Sequence, residues 1–206
     1  YTNDISDISN GMVIDKPISI IGMDGTVLDA EGKSRIFTIN DGVSDVSLNH
    51  IDFINGNTQE GNGGAIYVGA NAHNFNVIDS NFTNNHADGS GANGGAIYLY
   101  DTPSATIEYC NFTENKATGN GGAILFNGAG FVDNCNFTSN TAQDGSAIYI
   151  YEDIEDVEIK NSNFINNVAS NHGTIYLTGA ISPSLSENTF SGNTPEGSEE
   201  ICRRQG

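Results

Sequence analysis

The sequence is poor in positive charge and contains no long hydrophobic run. Of its 206 residues, 7 are Lys or Arg and 26 are Asp or Glu, so the formal net charge is −19. Nucleic acids, anionic membranes and acidic polysaccharides are disfavoured as partners, because binding them requires clustered cations. No stretch approaches the roughly 18 apolar residues of a membrane-spanning helix, so this segment is not predicted to insert into a membrane.

Two short phrases alternate along the chain with a period of about 27 residues. The first is Phe-x-x-Asn, whose Phe anchors are 29, 30, 25, 27 and 26 residues apart: Phe53, Phe82, Phe112, Phe137, Phe164 and Phe190. The second is Gly-Gly-Ala-Ile-Tyr and its variants, which begin at Gly63, Gly94, Gly121, Gly145 and His172. Rigid anchors separated by gaps of variable length are typical of a solenoid, in which each repeat is one stacked unit.

Apolar residues occupy fixed positions around both anchors and indicate short strands separated by corners. The side chain is aliphatic five positions before each Phe, and mostly small or apolar two positions before it. Strand side chains alternate, so two inward positions three residues apart require a corner between them. After the Gly pair, two apolar columns point inward together: Ile66, Ile97, Ile124, Ile148, Ile175 and Val68, Leu99, Phe126, Ile150, Leu177.

Further corners are expected at the ends of both phrases. The Asn that closes the Phe phrase tolerates a left-handed backbone, and the Gly pair is free to turn. No Asn-Gly or Asp-Gly doublet links two alternating runs, as a meander of hairpins would require. Short strands that coil instead of pairing locally predict an all-β fold, a right-handed parallel β-helix of about seven rungs.

The extent of the repeat divides the chain into three segments. The repeat domain is predicted to span residues 12–194, between an N-terminal segment, residues 1–11, and a tail or capping loop, residues 195–206. Its first rung, from Lys16 to Ile39, lacks both phrases, as expected of a unit that covers an open end. Since no initiator Met or signal peptide precedes Tyr1 and the periodicity ends abruptly, we expect a mature or excised fragment.

The pairing of Gly-Gly-Ala-Ile with Phe-x-x-Asn resembles the repeats of polymorphic outer-membrane proteins. It is most similar to adhesin-like surface proteins of methanogenic archaea, whose pectin-lyase-like β-helices carry the same pair. The opening Lys16-Pro17-Ile18-Ser19-Ile20-Ile21-Gly22 is similar to their first rung. This resemblance, over residues 12–194, implies a secreted, surface-tethered protein of cell adhesion. Gly56 in place of Asn, and Ser146 and His172 in place of Gly, depart from the pattern.

Many β-helices cleave polysaccharides, so catalytic residues were sought in the columns. Lyases of this fold class need a cation near the substrate acid, but Lys33, Arg35, Lys116 and Lys160 fall on different rungs. A hydrolase needs two carboxyls about 5–9.5 Å apart. Neither the position before each Phe nor the position three before it places two acids on adjacent rungs. We therefore expect no enzymatic activity, with a polysaccharide lyase or hydrolase as the alternative.

No cofactor or metal is predicted. The four histidines, His50, His73, His86 and His172, occupy unrelated repeat positions without metal-ligand spacing. The acidic loop Glu152–Asp156 lacks calcium-binding spacing and is expected to be solvated. Cys110 and Cys135 share a column on adjacent rungs, within the Cα separation of a disulfide. Buried free thiols are nevertheless favoured, because stacked parallel neighbours direct their Cβ atoms poorly for a bridge.

A strip of tyrosines is predicted on the outer face of the Gly-Gly strands. The residue between the two inward columns must point outward, and so must the residue two positions later. These positions supply the candidate binding residues, Tyr67, Tyr98, Tyr100, Tyr149, Tyr151 and Tyr176. Their rings and hydroxyls suit a neutral sugar or a protein. The competing interpretation is structural, since like aromatic side chains on stacked rungs stabilise one another.

Three glycosylation sequons recur at one repeat position, at Asn81, Asn111 and Asn136. Their side chains should face outward, because the following Phe faces inward. Together with the resemblance, these patterns predict a non-catalytic adhesin module, extracellular and on the cell surface. Its expected partner is a protein or neutral glycan on a host or another microbial cell. A stalk segment that only holds a distal domain is the structural alternative.

Overall fold

The computed structural model describes residues 10–151, 154, 156–178, 183–194 and 200–204, which form a right-handed coil of short parallel strands. Each strand pairs with strands one repeat away, so four parallel sheets run along the coil. Sheet 1 has eight strands, sheets 2 and 3 have seven each and sheet 4 has five. The prediction of a right-handed parallel β-helix of about seven rungs is confirmed.

In each rung the chain passes through the sheets in numerical order. Sheet 1 contains Met12–Ile14, Phe37–Ile39, Ile66–Val68, Ile97–Thr102, Ile124–Gly128, Ile148–Ile150, Ile175–Thr178 and Ile201–Arg204. Sheet 2 contains Ile18–Ile21, Val46–Asn49, Phe75–Ile78, Ala105–Glu108, Gly130–Asp133, Val157–Lys160 and Ser184–Ser186. Sheet 3 contains Val27–Asp29, Asp52–Ile54, Asn81–Thr83, Asn111–Thr113, Asn136–Thr138, Asn163–Ile165 and Thr189–Ser191. Sheet 4 contains Asn57–Thr58, His86–Ala87, Lys116–Ala117, Thr141–Asp144 and Val168–His172.

The Phe anchors form one continuous stack inside the coil. From Phe53 to Phe190, successive ring centroids are 4.7–4.9 Å apart and the ring planes differ by 2–11°. This separation matches the spacing between hydrogen-bonded strands, so each ring lies over its copy in the next rung. The two inward columns of sheet 1 are fully buried beside the stack. In the first rung Leu28 takes the place of the Phe, in register with Phe53.

The corner predicted between the two inward positions before each Phe is present on every repeat and lies three residues before the Phe. The residue there has a left-handed backbone, with φ of 49–57°: His50, Asp79, Tyr109, Asn134, Asn161 and Glu187. The sequence predicted the next corner at the Asn that closes the Phe phrase, and this prediction is wrong. It lies one residue earlier, at Asn55, Asn84, Glu114, Ser139, Asn166 and Gly192, whose φ values are 53–67°.

The closing Asn side chains point into the coil and form a buried ladder. This buried ladder consists of Asn85, Asn115, Asn140, Asn167 and Asn193. In each rung the Asn Nδ2 donates to the Phe carbonyl of the rung before and to the Asn Oδ1 of the rung after, as Asn115 does to Phe82 and Asn140, both at 3.0 Å. At the far end, Asn193 Nδ2 donates to Glu200 Oε2. The column is a structural core element and not a turn.

The two ends of the coil differ from the middle. The first rung has strands in sheets 1, 2 and 3 but none in sheet 4, so the expected atypical first rung is found. Within the segment predicted as a tail or capping loop, Ile201–Arg204 adds the eighth strand of sheet 1 by pairing with Ile175–Thr178. Residues 1–9, 195–199, 205 and 206 lie outside the described residues, and the three-segment division stays a prediction.

Candidate binding site

The predicted tyrosine strip faces away from the core, but most of it is covered. Tyr98, Tyr149 and Tyr176 are only 6–8% exposed, and Leu125 in the same column is fully buried. Together with Tyr67 they make a second apolar cluster outside the coil, separate from the main core. The expectation that the whole strip offers open ring faces to a partner is therefore wrong for these three tyrosines.

Stacking between rungs explains this burial. The ring centroids of Tyr67 and Tyr98 are 5.6 Å apart, and those of Tyr149 and Tyr176 are 5.4 Å apart. The guanidinium of Arg35 lies 5.2 Å from the Tyr67 ring centroid. Burial raises the pKa of Tyr98 to about 12 and raises the pKa of Tyr149 as well, because the phenolate would lose its hydration. These rings stabilise the coil, as the structural interpretation of the strip proposed.

Two tyrosines of the strip remain open to solvent, Tyr100 at 42% and Tyr151 at 40% exposure. They lie on either side of Asn127, on three consecutive rungs at the end of sheet 1. The Tyr100 ring packs against Tyr98 with centroids 6.3 Å apart, and Tyr151 meets Tyr149 edge-on at 5.7 Å. Each exposed ring is thus supported by a buried one, which holds it in place on the surface.

A groove of about 540 Å³ crosses the outer face of sheet 2 on the same three rungs and reaches Ser184 on the next rung. Its sides are formed by Pro103 to Thr106 on one rung and by Asp156 to Glu158 two rungs later. Its floor lies on the rung between them, where only Ala129 connects the strand of sheet 1 to the strand of sheet 2. The groove exists because this middle rung has the shortest corner.

The floor of the groove depends on one glycine. A Cβ atom at Gly130 would lie 2.2 Å from Cε1 of the buried Phe126 ring, so a side chain there would force the core to move. The next residue, Phe131, points outward and its ring is half-buried. Glycine at this position lets the chain turn closely over Phe126 and then present an aromatic ring to the groove.

An ion pair between a lysine and a glutamate lies against one side of the Phe131 ring. Lys160 Nζ lies 4.7 Å from its ring centroid and 3.3 Å from Glu158 Oε1. An ammonium over an aromatic face is attracted by the ring quadrupole. Phe131 was not among the predicted site residues. Alternation places its column on the outside of the coil, but the residue type in this column differs from rung to rung, so no pattern indicated a site there.

An acid pair also lies beside the groove, and the columns inspected in the sequence had missed it. Glu108 and Asp133 are register partners in sheet 2, on adjacent rungs and on the outward side. Their column lies four residues before each Phe. Asp133 Oδ1 accepts a hydrogen bond from Asn161 Nδ2 at 2.7 Å. The two columns on which the expectation of no enzymatic activity rested therefore did not include this pair, although it does not follow that Glu108 and Asp133 catalyse a reaction.

No group of three or more His, Cys, Asp or Glu side chains in the described part of the chain could hold a metal ion. His50 instead bridges two carboxylates, Asp79 at 2.9 Å and Asp24 at 3.2 Å, and these hydrogen bonds raise its pKa. Of the predicted acidic loop, Glu152, Asp153 and Glu155 lie outside the described residues.

Cys110 and Cys135 are buried free thiols, as favoured from the sequence. Burial raises the pKa of the Cys110 thiol, and a hydrogen bond with Cys135 adds to the effect. Both sulfurs also contact backbone carbonyl oxygens of their own rung, Glu108 for Cys110 and Asp133 for Cys135.

The three sequon asparagines face outward, as predicted, and form an exposed ladder along sheet 3. Asn111 Nδ2 donates to Asn81 Oδ1 at 2.7 Å, and Asn136 Nδ2 donates to Asn111 Oδ1 at 2.8 Å. Asn163 continues the exposed ladder to the next rung. The amide nitrogen that would carry a glycan is thus already engaged with a neighbouring rung. Their glycosylation stays a prediction.

The fold and its surface place the protein in the class of right-handed parallel β-helix solenoids, with grooves and exposed aromatic side chains on the outside of a packed coil. The sequence model of the right-handed β-helix region matches residues 49–200, and the chain belongs to this family. Neither a curated protein nor a solved structure gives a match to the chain. In the described part of the chain, no helix is long and apolar enough to cross a membrane.

Proposed function

We propose that the protein is a non-catalytic adhesin module on the extracellular surface of a cell, where it binds a protein or a neutral glycan on a host or another microbial cell. The repeat pair that resembles adhesin-like surface proteins of methanogenic archaea supports this assignment and an archaeal origin. The β-helix family contains enzymes as well as binding proteins, so the argument depends on the surface and not on the fold.

The observation that carries the proposal is the exposure of Tyr100 and Tyr151. Both rings are about two-fifths exposed, although the tyrosines two residues before them, Tyr98 and Tyr149, are buried. They stand two rungs apart, about 10 Å by the strand spacing, with the Asn127 amide between them. Aromatic faces beside a hydrogen-bonding group are suited to a sugar ring or to a protein anchor residue. Because both rings are supported by buried tyrosines, little side-chain entropy is lost on binding.

The test is binding of the isolated protein to a glycan array and to whole cells. We expect the double variant Tyr100→Ser/Tyr151→Ser to lose binding at least tenfold while its unfolding transition stays close to that of the wild type. Tyr109→Ser is the matched control, because Tyr109 is 56% exposed but lies at the corner between sheets 2 and 3. Its binding should equal that of the wild type.

A stalk segment that only holds a distal domain is expected to bind neither cells nor glycans. If the wild-type protein binds no cells and no glycans, the adhesin assignment for these rungs fails and a role as a spacer replaces it. If Tyr109→Ser weakens binding as much as the double variant, the contact surface is not at the end of sheet 1.

Glu108 and Asp133 support a second candidate function, a glycoside hydrolase. Their Cα atoms are one strand spacing apart, about 4.8 Å, which allows the carboxyl separation of about 5–5.5 Å found in retaining enzymes. The neighbouring groove could hold the sugar chain. Release of reducing ends from a panel of polysaccharides, abolished by Glu108→Gln, would establish this activity. No release by the wild type supports the non-catalytic module, and equal release by wild type and Glu108→Gln would exclude the pair Glu108 and Asp133 as the source of the activity.

A further inference from the structure

We propose that the groove across sheet 2 binds a sugar chain that carries protonated primary amines, such as an oligomer of glucosamine. This site goes beyond the adhesin contact, because it uses the outer face of sheet 2 and does not need Tyr100 or Tyr151. It is carried by the shape of the groove, by the contacts of Phe131 and by the charges around it.

The groove has the dimensions of a ligand site. Its volume of about 540 Å³ is in the range of small-molecule sites. It is open along its length and extends over three rungs to Ser184 on a fourth, which suits a chain better than a compact molecule. Ser104, Thr106 and Ser184 line it, and their hydroxyl groups can exchange hydrogen bonds with sugar hydroxyls.

Lys160 shows which chemical group this surface accepts. Its ammonium lies 4.7 Å from the Phe131 ring centroid and 3.3 Å from Glu158 Oε1, so one ammonium already satisfies both the ring and the carboxylate. A ligand amine can make the same two contacts, since the Lys160 and Glu158 side chains remain about one-third to two-fifths exposed. The Lys160 ammonium therefore makes the two contacts that we expect an amine of the ligand to make.

The charge of the face favours a cation. Asp156 directly precedes the strand Val157–Lys160 and Glu158 lies on the outward side of that strand, and both line the groove. Glu108 and Asp133 follow on the same sheet. Lys160 is the one Lys or Arg in the described strands of sheet 2. With a net charge of −19 over the whole chain, the field at this face attracts a polyamine ligand and repels acidic sugars.

The contacts favour an amino sugar over a basic peptide. A peptide that binds a β-structure commonly adds a strand to a free sheet edge. The strands Ala105–Glu108, Gly130–Asp133 and Val157–Lys160 under the groove are paired on both sides along sheet 2. The groove reaches the last described strand of the sheet only at its first residue, Ser184, and Phe131 lies two strands away from that edge. A pyranose ring instead needs a flat apolar surface for its C–H face and acceptors for its polar groups. Phe131 supplies the surface, and the carboxylates and hydroxyls supply the acceptors.

The test is isothermal titration of the protein with a glucosamine tetramer, with the N-acetylated tetramer as the neutral partner. We expect the free amine form to bind at least tenfold more tightly, and the difference to shrink as salt is raised. Phe131→Ala should weaken binding of the amine form about tenfold, and Glu158→Gln should weaken it by a similar factor. Circular dichroism and urea unfolding of each variant establish that the coil is intact.

Lys160→Met provides the sharpest arm of the experiment. Removing the internal ammonium frees the ring and the carboxylate, so the variant should bind the glucosamine tetramer about fivefold more tightly than the wild type. Lys33→Met is the matched control, because Lys33 also pairs with a carboxylate, Glu31, but has no aromatic ring within its contacts and lies outside the groove. Its affinity should not change.

Three results would overturn the proposal. Equal affinity for the amine and acetylated tetramers would show that charge does not select the ligand. Unchanged affinity in Phe131→Ala, with the coil intact, would move the site elsewhere. A lysine tetrapeptide that binds more tightly than the glucosamine tetramer, with the same dependence on Phe131, would assign the groove to a basic peptide. The variant Tyr100→Ser/Tyr151→Ser should bind the amine tetramer normally, so failure here and failure of the adhesin contact are distinguishable.

Discussion

Asn115 and Asn111 lie four residues apart on one rung, and each belongs to a column of asparagines that runs along the coil. In the buried ladder, Asn115 Oδ1 accepts from the Asn85 main-chain N and Nδ2, while its own Nδ2 donates to Phe82 O and Asn140 Oδ1. In the exposed ladder, the amides of Asn81 and Asn136 are the only partners of the Asn111 side chain among the described residues. The residue type and the spacing between rungs are the same.

The difference lies in what replaces the bonds when they are lost. Water can reach the exposed ladder, so a broken bond there is exchanged for another at little cost. Water cannot reach the buried ladder, whose members from Asn85 to Asn167 are fully buried, so a lost partner leaves backbone and side-chain groups unpaired. One column is therefore part of the core, and the other is a surface whose sequence is free to serve a partner or a modification.

The largest effect is expected from Asn115→Ala. It removes the acceptor of two Asn85 groups and the donor to Phe82 O, all of them buried. Each unpaired buried group costs about 1–3 kcal/mol, so the free energy of unfolding should fall by about 3 kcal/mol or more. Urea unfolding measures it. Asn111→Ala is the control and should change the free energy of unfolding by about 0.5 kcal/mol or less. Similar losses in both variants would remove the distinction between the ladders.

A second pair of neighbours carries the comparison to sheet 1. Tyr149 is 7% exposed and stacks on Tyr176, whereas Tyr151, two residues later, is 40% exposed. Tyr149→Ser should lower the free energy of unfolding by about 2 kcal/mol through lost ring packing. Tyr151→Ser should lower it by about 0.5 kcal/mol or less, and the larger effect on binding should appear in this variant, because Tyr151 is the contact residue and Tyr149 only supports it. Equal destabilisation by the two variants would show that Tyr151 is a packing residue.

These pairs also show how far the sequence alone could lead. The coil, the Phe stack, the inward columns and the corner before each Phe follow from alternation and from a repeat of about 27 residues, because a solenoid applies the same local rule on each rung. The Asn at the end of the Phe phrase was predicted as a turn, since its residue type suits both a left-handed corner and a buried ladder. The φ angle of the residue before it and the burial of the Asn side chain separate the two.

The surface was harder to predict for a physical reason. Alternation states that Tyr98 and Tyr100 point outward, but it does not state that stacking on neighbouring rungs covers one and leaves the other open. The groove could not be read from any column, because it arises from the single-residue corner at Ala129 between two longer ones. The acid pair Glu108 and Asp133 could have been found, since it falls in one column of the repeat, four residues before the Phe.

Ser146 is a buried residue whose replacement should stabilise the coil, whereas replacement of an Asn in the buried ladder should destabilise it. Among the described residues, its Oγ is the buried side-chain atom that has no hydrogen-bond partner. Ser146→Ala removes a hydroxyl that is buried without compensation, so the free energy of unfolding should rise by about 1 kcal/mol. Ser162→Ala is the matched control. The Ser162 Oγ is bonded to Cys135 N at 3.1 Å and to Lys160 O at 2.8 Å, so that variant should lose about 1 kcal/mol. A loss in Ser146→Ala would indicate that its hydroxyl does have a partner in solution.

The smallest effect on stability is expected from modification of the exposed ladder, where geometry limits how many sequons can be used at once. Asn81, Asn111 and Asn136 are register partners on consecutive rungs, so neighbouring side chains are about 4.8 Å apart. Two branched glycans cannot both leave the sheet at that separation, whereas Asn81 and Asn136 are twice as far apart.

Expression in a host that glycosylates secreted proteins should therefore yield chains with two glycans at most, as measured by intact mass. Asn136→Gln should reduce the maximum to one glycan, while Asn81→Gln should do the same from the other side. A chain with three glycans would show that the ladder opens on this face, and its unfolding transition should then still lie close to that of the unmodified protein, because water replaces the lost amide bonds.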